Sequence, residues 1–148
     1  MREKMKLSLV VFLLVLTCGC NAQDPMTAIA NSHVEANAPK GELFDKYLER
    51  DLTAYFCKGQ SDCRVEYDYL RQGATQSGVS YPKYYLWAKC FTKEQLKTEG
   101  AVRVAAVDQQ YFDVMNFLSA KQIVTSPDEV GHTFPAALVD KILEKAKH

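Results

Sequence analysis

The sequence holds little with which to do metal or covalent chemistry. It has three histidines, His33, His132 and His148, and no two of them stand at helical or hairpin metal spacing. Its five cysteines include no C-x-x-C pair, so a zinc site is not expected. There is no glycine-rich phosphate loop, no G-x-S-x-G and no H-E-x-x-H, which removes the common nucleotide, serine-hydrolase and zinc-protease signatures. No N-x-S/T sequon occurs. Charge is balanced, with 18 Lys and Arg against 18 Asp and Glu, and no basic run or stripe. Nucleic-acid binding needs a dense positive face to neutralise phosphates, so that class is excluded. No catalytic set, metal or cofactor is therefore expected.

Long apolar runs are scarce too. The one strong run, residues 7–16, is ten residues long and contains Ser8. A spanning helix needs about 20. Arg2, Lys4 and Lys6 precede the run and polar sequence follows it. A cationic start, a short apolar segment and a small-residue end predict a signal peptide over residues 1–22, hence export. Thr17-Cys18-Gly19-Cys20 resembles the lipobox of bacterial lipoproteins, in which the cysteine after a small residue is lipidated and becomes the new N-terminus. That resemblance implies cleavage before Cys20, lipidation of Cys20 and membrane association through the anchor alone. Ordinary cleavage after Ala22 is the competing outcome and would leave a free periplasmic protein.

About 126 to 129 residues remain, enough for one domain with a real core. Residues 23–41, rich in Ala, Asn and Pro, read as a tether; residues 42–148 read as a single α+β domain. Cys57 and Cys63 flank a turn-like Lys58-Gly59-Gln60-Ser61-Asp62 and are the natural disulfide pair in an oxidising compartment. Closing so short a loop constrains the unfolded chain by about 2 kcal/mol. Cys90 is then a buried thiol in a strand, with His132 the sole plausible base were it a nucleophile.

From Glu42 the pattern becomes periodic. Leu43, Phe44, Tyr47, Leu48, Leu52, Tyr55 and Phe56 recur at three- and four-residue steps, with charges opposite, which predicts an amphipathic helix ending near Gly59. In residues 64–70, Val65, Tyr67 and Tyr69 alternate with Arg64, Glu66 and Asp68, a strand with one wet face. Residues 72–78 read as a loop, residues 83–91 as an aromatic-rich second strand and residues 92–100 as a polar connection. Residues 102–107 and 111–118 read as a hairpin around Asp108-Gln109-Gln110. A tip at Gln109 and Gln110 sets Val102, Val104 and Ala106 against Phe117, Met115 and Asp113, and Arg103 against Asn116. Both faces of this hairpin are mostly apolar, so both need cover from a helix, a ligand cavity or a partner subunit. Ser126-Pro127-Asp128-Glu129 looks like a capped helix start, a second start follows at Thr133-Phe134-Pro135, and Leu138, Val139, Ile142, Leu143 and Ala146 form the stripe of a C-terminal helix.

The expected fold is α+β: a long N-terminal helix packed on a curved four-stranded antiparallel sheet, with a C-terminal helix. That order resembles the cystatin-like and nuclear transport factor 2-like superfamily. The segment Gly100-Ala101-Val102-Arg103-Val104-Ala105-Ala106-Val107, with Phe112-Asp113-Val114 and Phe134-Pro135-Ala136, also looks like uncharacterised bacterial exported proteins of that kind. The resemblance implies a curved sheet around a helix and a range of roles, from small-molecule isomerases and dehydratases to inhibitors and accessory domains without chemistry. Fold alone does not choose among these.

The candidate ligand-contacting residues are Asp113, Arg103 and Asn116 on the doubly apolar strands, with Tyr85 and Trp87 beside them. A carboxylate among aromatics has a raised pKa and can act as a base. The leading expectation is a non-enzymatic exported domain that binds an envelope protein or a small ligand, with a homodimer as one way to cover the sheet. The alternatives are an inhibitor or immunity protein against a toxin or lytic enzyme, and a small-molecule isomerase or hydrolase using Asp113.

Overall fold

In a computed structural model of the chain, residue 34 and residues 36–148 are described. The signal segment, both cleavage sites, Cys20 and the tether up to residue 33 lie outside the described residues. The chain forms helix α1 (Glu42–Cys57), strands β1 (Cys63–Tyr69), β2 (Lys83–Thr92), β3 (Gln95–Val107) and β4 (Tyr111–Ser119), then helices α2 (Ala120–Thr125), α3 (Asp128–Thr133) and α4 (Ala136–Lys145). The strands form one antiparallel sheet in the order β1-β2-β3-β4. It is an α+β fold with a meander sheet.

Helix α1 lays Leu48 and Leu52, both fully buried, on one sheet face against Tyr84, Leu86, Ala88, Val102, Val104, Ala106 and Phe112. Phe44 bridges the layers, edge-on to Tyr84 and Phe112 with centroids 4.9 Å away in each case. Glu42 and Asp45 occupy the first turn of α1, where the helix dipole favours acids. The helix ends at Lys58, whose φ of 47° is left-handed, followed by Gly59 at 81°. The disulfide Cys57–Cys63 then ties its last residue to the first of β1, as the spacing predicts. Upstream of α1, Ala38 and Pro39 are buried, and the carbonyls of Ala36 and Asn37 accept from Gln109 Nε2 and the Gln109 amide, both at 2.8 Å.

The other face of the sheet carries Tyr85, Trp87 and Ala101. It is covered by Ile123 of α2, Val130 of α3, Phe134 and, from α4, Leu138 and Ile142. Both faces of the central strands are thus closed by the chain's own helices, the outcome that apolar residues on both sides require.

Four expectations need correction. Residues 95–100 are not a connection: a tight turn at Lys93 and Glu94, with φ of 49° and 60°, joins β2 directly to β3. Polar residues there are a hairpin arm beyond the helices, so polarity misled. The β3–β4 register is offset near its tip: Val104 faces Val114, not Met115, and Ala106 faces Phe112, not Asp113. A bulge between Arg103 and Val104 absorbs Met115 and restores the expected Arg103–Asn116 and Val102–Phe117 pairs. The C-terminal part has three helices, one more than the two starts marked at Ser126 and Thr133. The first of these starts at Ser119, whose side chain accepts from the Gln122 amide while Gln122 reaches back to the Ser119 amide, a complete capping box. Ser126, by contrast, gives α3 no side-chain cap; its carbonyl accepts from the Glu129 amide.

Candidate functional site

The five residues singled out from sequence share one face of the sheet, because the alternation of β2 and β3 and the bulge in β4 turn them the same way. Tyr85, Arg103 and Asn116 stand directly opposite one another across β2, β3 and β4. Trp87 faces Ala101, one step toward α2, and Asp113 faces Ala105, one step the other way. The row is roofed by the junction of α3 and α4. Arg103 donates through NH1 to the Thr133 carbonyl at 3.0 Å, and the Phe134 ring lies 6.3 Å from that of Tyr85. The Tyr85 hydroxyl pairs with Thr75 Oγ1 at 2.5 Å.

The polar groups of this row mostly hold the fold. Lys141 of α4 donates to the Leu70 carbonyl at 2.7 Å, and Lys145 lies 3.6 Å from Asp68 and 5.8 Å from the Trp87 ring. Trp87 is buried, and its indole N–H donates to Glu99 at 3.0 Å. Arg103 Nε and Asn116 Oδ1 are buried and have no hydrogen-bond partner, a donor and an acceptor in facing positions. Asp113, at the far end of the row, is exposed on the edge strand.

Two cavities lie elsewhere on the same side, and a recess borders Trp87 itself. One of about 260 Å³ is lined by Ile123, Val124, Pro127, Leu143 and Lys147. A more open one of about 520 Å³ is bordered by His132, Gly131 and Val139. A small recess of about 80 Å³ is lined by Trp87 with Glu66, Asp68 and Lys89. No described helix is long and apolar enough to cross a membrane.

The opposite, α1-facing side carries the feature that sequence reasoning missed. Cys90 is opposite Val65 in the register and points with it toward α1. Its Sγ lies 3.6 Å from Cys63 Sγ, and the sulfurs of Cys57, Cys63 and Cys90 all fall within 4.8 Å of one another. Burial raises the Cys90 thiol above its usual pKa. His132 is exposed on α3, across the sheet, so it is not its base. The signal for this contact was present: Cys63 begins one strand and Cys90 falls near the end of its antiparallel neighbour. The interaction of Trp87 with Glu99 was hidden because residue 99 was read as part of a connection.

No protein-family model matches the chain, and no curated protein or solved structure matches it.

Proposed function

We propose that the chain is an exported, non-enzymatic cell-envelope domain that binds another protein through its outer surface. The observation that carries this reading is the occupancy of the second sheet face. That face needs cover from a helix, a ligand cavity or a partner subunit; here Ile123, Val130, Phe134, Leu138 and Ile142 fill it. Arg103 is engaged with the Thr133 carbonyl there, and Asp113 stands in solvent on the edge strand.

The surface that best suits a partner is the end of the sheet around the β3–β4 turn. Tyr81 and Tyr111 are both exposed there, and the Tyr81 hydroxyl lies 3.5 Å from Asp108 Oδ1. Tyrosines offer large, stiff contact area with a polar tip, the composition favoured at interfaces. The Cys57–Cys63 disulfide supports residence in an oxidising compartment. This reading includes a signal peptide over residues 1–22, an anchor at Cys20 or a free periplasmic form, and kinship with the cystatin-like superfamily on the order of one helix followed by an antiparallel meander.

The test is chemical cross-linking in envelope extract with wild type and a Tyr81→Ala/Tyr111→Ala double variant. The expected result is a discrete adduct formed by wild type and lost in the double variant, with far-UV circular dichroism unchanged. Identical adduct patterns would refute the assigned surface.

A further inference from the structure

We propose that Cys57, Cys63 and Cys90 form one thiol–disulfide exchange site, in which Cys90 takes Cys63 from Cys57 and moves the cross-link from helix-to-strand to strand-to-strand. This holds whatever the domain binds.

The geometry is local and specific. Cys63 faces Thr92 and Cys90 faces Val65, so the two cysteines are diagonal neighbours on one face of the β1–β2 ladder. Their sulfurs are in van der Waals contact at 3.6 Å while Cys63 remains bonded to Cys57. Closing that gap to a bond of about 2.0 Å is a sulfur movement of about 1.6 Å, taken up by side-chain rotation together with a small shift of the two strands, since diagonal neighbours stand near the upper limit for a disulfide. Cys57 and Cys90 are both buried, which shields the attacking thiol and the departing sulfur, while Cys63 is half-buried beside an open recess lined by Asp62, Arg64 and Glu94.

The step balances without an external oxidant or reductant. The Cys90 thiol gives up its proton and the thiolate attacks Cys63 Sγ. A Cys90–Cys63 bond forms, the Cys63–Cys57 bond breaks, and the departing Cys57 sulfur takes up a proton. One disulfide and one thiol are present before and after. Attack falls on Cys63 because that is the sulfur Cys90 touches. Burial keeps Cys90 mostly protonated, so exchange is slow, as uncatalysed rearrangements are. Its consequence is mechanical. In one form the last residue of α1 is bonded to β1; in the other α1 is released at Lys58 and Gly59, and β1 is stapled to β2 instead.

The experiment uses the full chain purified without reductant and kept native in mildly alkaline buffer with iodoacetamide. Aliquots are quenched in acid and mapped by non-reducing peptide mass spectrometry. The reading is the rate at which Cys57 becomes alkylated in wild type and in Cys90→Ala. With no internal nucleophile, the variant keeps Cys57 locked, so wild type is expected to label at Cys57 about tenfold faster or more, with a Cys63–Cys90 linkage in the labelled molecules. Should Cys90→Ala fail to fold, Cys90→Ser serves, since a hydroxyl cannot exchange. Equal labelling with and without Cys90, or a rate that scales with protein concentration, overturns the proposal.

Discussion

Asp51 of α1 accepts a hydrogen bond from the backbone amide of Phe112, its Oδ2 lying 2.7 Å from the nitrogen. Phe112 is in β4, an edge of the sheet, and an edge strand carries amides that no strand neighbour satisfies. The carboxylate answers one of them and fixes where the helix crosses the sheet. Arg50 reinforces it, donating to both Asp51 oxygens and to the Gln110 carbonyl at 2.9 Å. Replacing Asp51 by Ala is expected to cost about 1–3 kcal/mol, the range for stranding a partly buried donor. Urea unfolding followed by circular dichroism measures it. A midpoint within error of wild type would show the contact to be incidental.

Gly100 of β3 pairs with Ser119 of β4. A Cβ there would meet the Leu118 carbonyl oxygen at 2.1 Å and Ser119 Cα at 2.7 Å, both backbone atoms. Backbone cannot rotate aside as a side chain does. Gly100→Ala is therefore expected to lose about 3 kcal/mol or more, read as a lowered thermal midpoint or loss of soluble protein. Gly131→Ala is the control, since its Cβ would meet nothing within 4 Å.

Cys63→Ala removes both the native disulfide and its exchange partner. The six-residue separation closes a short loop, and the expected loss is about 2 kcal/mol. The same measurement on wild type in dithiothreitol should give a similar loss. A reduced protein as stable as the oxidised one would contradict it.

Tyr67, Tyr69 and Tyr84 each have pKa values raised above the usual phenol range, chiefly by burial; Asp45 adds to the shift of Tyr67 and Tyr69. Tyr69 donates to Asp45 Oδ1 at 3.4 Å. In the unfolded chain these phenols ionise near pH 10. Between that pH and their folded values the unfolded state sheds protons that the native state keeps. Stability is therefore intact below about pH 10 and falls as pH rises further. Absorbance at 295 nm should show these phenols titrating late, in a step coincident with alkaline unfolding. All eight tyrosines of the sequence ionising together near pH 10 without unfolding would oppose this.

Much of the architecture is legible in the sequence because it follows periodicity. The helix stripe through Phe44, Tyr47, Leu48, Leu52 and Phe56 and the alternation Val65, Tyr67, Tyr69 are adopted by the structure, although Leu43 and Tyr55 of the expected stripe stay exposed. The disulfide was legible from spacing. What failed was hidden by local signals that compete. Lys93 and Glu94 adopt left-handed φ values that neither residue type advertises, so the β2–β3 turn had no glycine to mark it. The bulge at Met115 is a one-residue insertion that alternation cannot reveal when both faces are apolar. Ser119 directly follows the strand read over residues 111–118, and with Gln122 three residues on it forms a capping box. For the candidate site, sequence found the right face but not what covers it, because packing of Phe134 and Ile142 on Trp87 and Tyr85 joins positions distant in the chain.

The functional reading depends on that cover being closed core rather than an opening lid. Trp87 is the single tryptophan of the chain and lies beneath it, hydrogen-bonded to Glu99. Acrylamide quenching of its fluorescence is the most direct test. Sealed packing predicts a blue-shifted emission and a Stern–Volmer slope a small fraction of that of N-acetyltryptophanamide. A red-shifted emission with a slope approaching that of the free fluorophore would contradict it and reopen the face as a pocket.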